Sequence, residues 1–203
     1  DLRAGRFLQV EYIPEDALHA LLDLFAFHDV SGFLYGLVDH IQTTYYETLG
    51  SPAQKAFMEE RIRRYQKPFT QVSSYRDVAD RGICYVSLMG NHDKLVPVRD
   101  ALLRMPSLAH VFYEDVYFDN QWLLEIHSVR ASKGHAVRSL RERFGFDRLV
   151  GFGDNLNDHS LFEVCDETYA VGNAHPALAA AATGQIGTNL EDGVARWLAA
   201  RFE

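Results

Sequence analysis

The chain has 203 residues, of which 47% are hydrophobic and 24% are charged. This composition is ordinary for a globular protein with a sizeable core, and the length suffices for one large domain or two small ones. The formal net charge of −8 argues against a general nucleic-acid binder. The most basic stretch, residues 61–64, follows two glutamates and is predicted to be the solvated face of a helix.

The apolar runs and the cysteines indicate the compartment. No apolar run approaches the ~20 residues of a membrane span. The first residues carry no signal-peptide pattern, so we expect no membrane partner. Cys84 and Cys165 lie far apart, each in apolar sequence. This arrangement predicts buried, reduced thiols and a cytoplasmic protein.

Short helices and strands alternate over roughly the first 120 residues. Pro14 opens an amphipathic helix whose apolar stripe runs from Ala17 to Phe25. The pattern is typical of an α+β domain. The further predicted elements are strands at 33–38 and 42–46 forming a hairpin, a helix over 52–65 capped by Ser51, a strand at 84–89, a helix over 93–104, and antiparallel strands at 111–113, 116–118 and 122–126.

From residue 131 the pattern changes to alternating helices and strands. Alternation of this kind predicts a parallel, doubly wound sheet. The predicted elements are a helix through 136–144 closed by Gly145, a strand at 149–152, a helix across 161–164, a strand at 168–171, a helix over 176–182, a short strand at 185–187 and a last helix over 194–202.

The most informative segment is the run LVGFGDNLND at 149–158. A short apolar strand ends at Gly153, and acid and amide side chains follow where the next helix should open. Ligands of open α/β sheets gather at the carboxyl ends of the strands, and oxygen side chains suit Mg²⁺. The segment therefore predicts a cation or phosphate site. A polar turn with Asn and Asp as helix caps is the alternative.

A second candidate lies upstream, in the segment ASKG at 131–134. Lys133 is predicted to open a helix, where its ammonium group could balance the charge of a transferring phosphoryl group. The alternative is an ordinary surface lysine. Downstream, Gly172 is expected to permit a tight bend between a strand and a helix.

These segments, in this order, resemble the haloacid dehalogenase (HAD) superfamily of phosphatases, in its Cof-type branch with a type IIB cap. The resemblance implies an α/β fold with a doubly wound parallel, Rossmann-like core and an inserted α+β cap. It places the cap domain over 1–122 and the C-terminal part of the core over 123–203. The matching segments are LLEI at 123–126, SKG at 132–134, GFGDNLND at 151–158, AVGNA at 170–174 and NLEDGVARWL at 189–198.

The resemblance also implies roles for individual residues. Lys133 would be catalytic, binding the phosphate and stabilising an aspartyl-phosphate. Asp154 would be the main Mg²⁺ carboxylate, Asp158 would support the metal directly or through water, and Asn157 would lie beside the phosphate. Gly153 would let the backbone approach the site. The implied reaction is Mg²⁺-dependent hydrolysis of a small phosphorylated metabolite, such as a sugar phosphate.

One family motif is missing. The family takes its nucleophile and general acid from an Asp-x-Asp-Gly-Thr segment, and the 203 residues contain no Asp-x-Asp. We therefore expect that the chain is a partial sequence of a phosphatase and is inactive by itself. The strand at 149–152 should then have an unpaired edge, which invites pairing with another chain.

Three further questions stay open at this point. A catalytically inactive, HAD-derived binding module would retain the same segments without turnover. Residues 90–93 (GNHD) also occur in calcineurin-like metallophosphoesterases, although the other motifs of that family are absent and a helix-capping turn is favoured. Tyr45, Tyr46 and Tyr85 are candidates either for substrate contacts or for packing in strands.

Overall fold

The computed structural model of the chain describes residues 1–38, 40–115, 118 and 120–202. The chain divides into two compact units, Asp1–Arg130 (unit 1) and Ala131–Glu203 (unit 2). Each unit has its own β-sheet. Among the described residues, no helix is long and apolar enough to cross a membrane.

Unit 1 is built on a six-stranded sheet. Its elements are α1 (Glu15–His28), β1 (Gly32–Val38), β2 (Ile41–Tyr46), α2 (Pro52–Tyr65), β3 (Phe69–Gln71), a 3-10 turn (Tyr75–Val78), β4 (Ile83–Gly90), α3 (His92–Leu102), β5 (Leu108–Glu114) and β6 (Trp122–Ser128). The strand order is β3-β2-β1-β4-β6-β5. Neighbouring strands are antiparallel except β2 and β3, which are parallel.

Most elements of unit 1 follow the sequence prediction. The helix over 52–65 is confirmed, and the Ser51 hydroxyl accepts its capping hydrogen bond from the Gln54 N–H at 3.2 Å. The hairpin of β1 and β2 is also confirmed. The short strand β3 was not predicted. Of the strand predicted at 116–118, Val116 and Tyr117 lie outside the described residues.

The sheet of unit 1 carries an apolar core on each face. On one face, buried side chains of α1 and α3 cluster with Leu34, Val86 and Leu124 of the strands. On the other face, α2 contributes Phe57 to a smaller cluster around Phe33. The alternation of side chains along each strand separates the two sets.

The boundary predicted between residues 122 and 123 is wrong. It falls at the start of β6, which pairs with β4 on one side and β5 on the other. Because both neighbours of β6 are strands of unit 1, β6 belongs to unit 1 as well. The division between the units therefore comes after Arg130.

Unit 2 has the parallel architecture predicted for the second part of the chain. Its elements are α4 (Lys133–Phe144), β7 (Val150–Gly153), a 3-10 turn (Leu156–Asp158), α5 (His159–Phe162), β8 (Glu167–Ala170), α6 (Pro176–Ala181), β9 (Gly184–Gln185), a 3-10 turn (Asn189–Glu191) and α7 (Gly193–Phe202). The order is β7-β8-β9 with both pairs parallel. Within the described residues β7 pairs with β8 alone, so it is an edge strand, as predicted.

Aromatic packing fixes the last helix on the sheet of unit 2. The Trp197 ring lies 4.6 Å from the Tyr169 ring and 5.1 Å from the Phe152 ring, centroid to centroid. The two cysteines are free, but they are half-buried rather than buried as predicted. Partial burial raises the pKa of both thiols, which keeps them protonated near neutral pH.

Candidate phosphate and metal site

The carboxyl end of β7 leads directly into the predicted site. After Gly153 the chain turns through Asp154 and Asn155 into the 3-10 turn and then into α5. A Cβ atom at Gly153 would lie 2.7 Å from the Cβ of Asp158 and 3.0 Å from the Phe162 ring. Glycine is therefore required here to make room for Asp158, a more specific reason than the backbone approach expected from the sequence.

Asp158 organises the turn. Its side chain is buried, and its Oδ2 accepts hydrogen bonds from the N–H groups of Asp154 at 2.9 Å and Asn155 at 3.3 Å. Its Oδ1 accepts a hydrogen bond from the Lys133 ammonium group. Both oxygens are thus engaged within the protein. We conclude that Asp158 positions the loop and Lys133, and the role as a direct metal ligand stays a prediction.

The charge state of Asp158 follows from these contacts. Burial alone raises the pKa of the carboxyl group. The Lys133 ammonium group and the two backbone N–H groups act in the opposite direction, and together they hold the pKa of Asp158 below its ordinary value. Asp158 is therefore ionised near neutral pH and forms a charged pair with Lys133.

The segment Ser132-Lys133-Gly134 presents the lysine. The Ser132 hydroxyl caps α4 by accepting a hydrogen bond from the His135 N–H at 3.1 Å. A Cβ atom at Gly134 would lie 2.0 Å from the carbonyl oxygen of Ser160, so only glycine allows α4 to begin so close to α5. Serine fixes the helix start and glycine allows the close approach. Lys133 between them can reach Asp158.

Asp154 and Asn157 lie on the exposed side of the loop. The Asp154 carbonyl oxygen accepts a hydrogen bond from the His175 N–H at 2.8 Å, which ties the loop to the start of α6. In the part of the chain that the structure describes, no hydrogen bond or ion pair engages the Asp154 carboxylate. This side chain is therefore available to a ligand. Sequence reasoning missed the contribution of His175, because it acts through its backbone.

Gly172 has a different role from the one expected. Its φ angle is not in the positive range. A Cβ atom there would lie 3.0 Å from Cγ2 of Thr188 and 3.2 Å from the carbonyl oxygen of Ile186. Glycine permits close packing against the following loop rather than an unusual backbone conformation.

The donor set fits a hard cation in part. Mg²⁺ takes one or two protein carboxylates and completes its shell with water and substrate phosphate, and an exposed carboxylate such as Asp154 meets that requirement. Within the described ranges there is no group of three or more acidic, histidine or cysteine side chains that could hold a metal alone. A cation at Asp154 would depend on further oxygen ligands.

The arrangement combines an available carboxylate, an exposed amide and an ammonium group at the carboxyl end of a parallel strand. Two of the three ammonium protons of Lys133 remain free to donate once Asp158 is engaged. These groups lie at the end of the sheet where ligands of open α/β proteins gather.

The chain belongs to the haloacid dehalogenase-like hydrolase family, whose sequence model matches residues 1–198. It is 26% identical over 208 residues to pyridoxal phosphate phosphatase YbhA of Escherichia coli K12, covering 98% of this chain and 72% of that protein. It is 29% identical over 143 residues to a putative phosphatase of Haemophilus influenzae, covering 68% of this chain and 52% of that protein. The chain thus spans about half of the second relative.

Solved structures support the fold. TM0651 of Thermotoga maritima matches with a TM-score of 0.73 and 22% identity, over 97% of this chain and 70% of that one. The HAD subclass IIB sugar phosphatase BT4131 matches with a TM-score of 0.63 and 16% identity, over 94% of this chain and 67% of that one. The predicted family and α/β fold class are confirmed. Family membership also removes the metallophosphoesterase alternative for residues 90–93.

Proposed function

We propose that this chain is part of a cytoplasmic, Mg²⁺-dependent phosphomonoester hydrolase that acts on small phosphorylated metabolites such as sugar phosphates. The observation that carries the proposal is the pairing of Lys133 with the buried Asp158, beside the available Asp154 carboxylate. The relatives named as phosphatases support the same class of reaction.

In this proposal Lys133 donates hydrogen bonds to the phosphoryl oxygens and balances their charge. Asp158 holds the ammonium group in place through the hydrogen bond between them. Asn157 contributes its amide to the phosphate. Asp154 would hold Mg²⁺, which supplies further neutralisation of the phosphoryl charge when bound. These residues bind and orient the ester.

The attacking group of the proposed reaction is an aspartate that would form an aspartyl-phosphate. The 203 residues contain no Asp-x-Asp segment. We therefore propose that the nucleophile comes from outside them, and that the 203 residues alone do not turn over an ester. The competing hypothesis is a binding module that has the same loop and no catalysis.

The test compares two proteins: the 203 residues alone and the product of the complete reading frame that encodes them. Phosphate release is measured with p-nitrophenyl phosphate and a panel of sugar phosphates, with Mg²⁺ and with a chelator. We expect Mg²⁺-dependent turnover by the second protein and none by the first. Folded but inactive protein from the complete frame would instead support the binding module.

Asp154→Asn should abolish this turnover without unfolding the protein, because the side chain is exposed. Asp147→Asn is the matched control, since it removes the same charge from another exposed position of unit 2. A normal rate in the Asp154 variant would refute its assignment. Retention of Mg²⁺ binding at the wild-type affinity would do the same.

A further inference from the structure

The two edges of the unit 1 sheet differ in length. At one edge lies β3, with three residues, and at the other lies β5, with seven, Leu108–Glu114. An edge strand presents unpaired backbone groups to any other strand. Natural proteins prevent such pairing with a very short edge strand, or with lysine, proline or a bulge in a longer one. β3 is protected by its shortness, whereas β5 needs another kind of protection.

β5 has none of these protections. Its sequence is LAHVFYE, which contains neither lysine nor proline, and its acidic residue, Glu114, comes last. Its register with β6 runs without a shift from Leu108, opposite Ser128, to Glu114, opposite Trp122. No bulge therefore bends the strand away between these two positions. β5 is a continuous, mainly apolar edge of the kind that pairs with another strand.

The hydrogen bonds at the two ends of β5 show which backbone groups face outward. The Val129 N–H donates to the Ser107 carbonyl oxygen at 2.9 Å, and the Asp115 N–H donates to the Gln121 carbonyl oxygen at 2.7 Å. The backbone groups of successive residues in an antiparallel strand point to opposite sides. The odd-numbered residues of β5 therefore bond to β6. The N–H and C=O groups of residues 110, 112 and 114 point away from the sheet.

The side chains of β5 alternate between the two faces of the sheet. Phe112 packs against the apolar core on the face of α1 and α3. Val111 and Tyr113 therefore lie on the other face, where they are 48% and 40% exposed. Tyr113 there lines a cavity of about 790 Å³ that also contacts Tyr35, Tyr85 and Glu125. Helix α2 thus leaves this side of β5 open, and Val111 and Tyr113 can contact a second strand.

The order of residues along β5 makes the edge complementary to its own copy. About a two-fold axis, outward residues must oppose outward residues. A register centred on Phe112 places His110 opposite Glu114, which gives the carboxylate a hydrogen-bond donor. A register centred on Val111 places the carboxylate beside the apolar Leu108. A register centred on His110 leaves Glu114 with no opposite residue in the strand. Complementarity therefore favours the register centred on Phe112.

We propose that two copies of this protein associate through β5, antiparallel and about a two-fold axis at Phe112, so that their sheets become continuous. On both sides of the axis His110 donates to Glu114 of the second copy, and on the other face Val111 packs against Tyr113 of the second copy. The contact involves a strand of seven residues from each copy. We therefore expect a small interface and a dissociation constant in the micromolar range or weaker. The proposal is independent of the proposed function.

The first experiment measures sedimentation velocity of the product of the complete reading frame, from micromolar to millimolar concentration. We expect a reversible equilibrium between monomer and dimer. Val111→Lys puts an ammonium group into the contact and should raise the dissociation constant of the dimer at least about tenfold. Ile41→Lys is the matched control, because Ile41 is 61% exposed on β2, near the other edge of the sheet. It should leave the dissociation constant unchanged.

Two results of this experiment would overturn the proposal. One is a monomer over the whole concentration range. The other is a dimer that Val111→Lys weakens no more than Ile41→Lys does, because its contact would then lie elsewhere, for example at the edge of β7. The urea unfolding transition of each variant, measured at low concentration, shows whether the monomer is folded.

The second experiment tests the register by exchanging two residues. His110→Glu places two carboxylates opposite each other and should weaken the dimer about tenfold. Adding Glu114→His to this variant restores a donor opposite a carboxylate, with the two positions exchanged, and should recover most of the wild-type affinity. A loss of local packing alone would not be rescued in this way. A double variant that associates no more tightly than the single one would overturn the proposed pairing.

Amide hydrogen exchange reports on the contact without any substitution. It is followed by NMR on the wild-type protein at low and at high concentration. The N–H groups of His110, Phe112 and Glu114 should exchange more slowly as the dimer forms, because they gain hydrogen-bond acceptors. The Val111 N–H already bonds to β6 and should change less. Exchange at the three outward positions that does not depend on protein concentration would overturn the proposal.

Discussion

The two units of the chain are stabilised in different ways. Unit 1 buries apolar side chains from three helices and most of its strands in two clusters. Among the described residues of unit 2, the buried apolar side chains are Phe162, Ala170, Val171 and Leu178. Because burial of apolar surface is the main favourable term in folding, we expect unit 1 to be the more stable unit.

Unit 2 has several charged contacts beside its small apolar core. Arg148 and Arg201 both pair with Glu167, and Arg141 pairs with Asp166 at 3.3 Å. The loop of its candidate site is held by the pairing of Lys133 with Asp158. Unit 1, which has the extensive apolar core, contains a preformed cavity. Unit 2, which has little apolar core, contains the polar candidate site.

The chain contains two tryptophans, and each unit holds one: Trp122 in β6 and Trp197 in α7. Trp197→Phe leaves fluorescence from unit 1, and Trp122→Phe leaves fluorescence from unit 2. The unfolding of each unit can therefore be followed separately in the predictions below.

The largest effect is expected from the core of unit 1. Leu124→Ala removes a side chain with no solvent exposure and should cost about 2–5 kcal/mol of unfolding free energy. Urea unfolding monitored through Trp122 measures this cost. Leu103→Ala is the control, because that side chain is 75% exposed and should change little. If the Trp197 transition shifts equally, the units unfold together and the comparison fails.

The second effect concerns activity. Lys133→Ala should lower kcat/KM of the complete protein by on the order of 10²-fold or more, because a preorganised charge is lost. Lys94→Ala removes a comparable lysine from unit 1, where it pairs with Asp29 at 3.2 Å, and should leave the rate unchanged. Similar rates in the two variants would contradict the role of Lys133.

Acid should weaken unit 2. The Leu149 N–H lowers the pKa of Asp166, and the Tyr169 hydroxyl lowers that of Glu167. For Asp158, opposing hydrogen bonds outweigh burial and leave a lowered pKa. A lowered pKa in the folded state gives stability that is present above the ordinary value and lost as the pH falls through the folded value. Trp197 should report a falling urea midpoint below about pH 4.

Alkali should weaken unit 1. Burial raises the pKa of Tyr35 and of Tyr113 to about 12 in each case. A raised pKa gives stability that is present below the ordinary value near 10 and lost as the pH rises through the folded value. The Trp122 midpoint should therefore fall above about pH 10, and Tyr113→Phe should reduce that fall. Midpoints that respond alike to acid and alkali would contradict the difference between the units.

The smallest effect compares two equivalent helix caps. Ser51 and Ser132 each accept a hydrogen bond from the N–H three residues ahead, at 3.2 Å and 3.1 Å. Either Ser→Ala change should cost about 1 kcal/mol, measured through the tryptophan of its own unit. Only the change at Ser132 should also lower phosphatase activity, because Lys133 follows it directly. Equal phosphatase activities in the two variants would show that the Ser132 helix cap does not affect the candidate site.

Sequence patterns were sufficient where the structure depends on near neighbours. The apolar spacing of α1 predicted its buried residues, and Ser51 and Gly145 predicted where α2 begins and α4 ends. Sequence patterns did not predict β3, because its three residues gain their strand conformation from pairing with β2. Such pairing joins distant parts of the chain and leaves little local pattern.

The candidate site residues stay a prediction, and the structure adds the surroundings of each side chain. Lys133 and the 154–158 segment were found from their order along the chain. Asp154 and Asp158 are identical side chains four residues apart, so the sequence could not distinguish their roles. In the structure Asp158 points inward and holds Lys133, while Asp154 stays available. Burial and hydrogen bonding decide between them, and both arise only in the folded loop.

By itself, the sequence determined most of the helices and strands, the parallel character of unit 2, the family and the residue types at the end of β7. Those properties depend on periodicity, helix caps and short motifs, which act over a few residues. The tertiary structure alone decided the division after Arg130, the partner of Lys133 and the grouping of Tyr35, Tyr85, Tyr113 and Glu125 in one cavity. Each of these joins residues that are distant in the chain, and only strand register and packing bring them together.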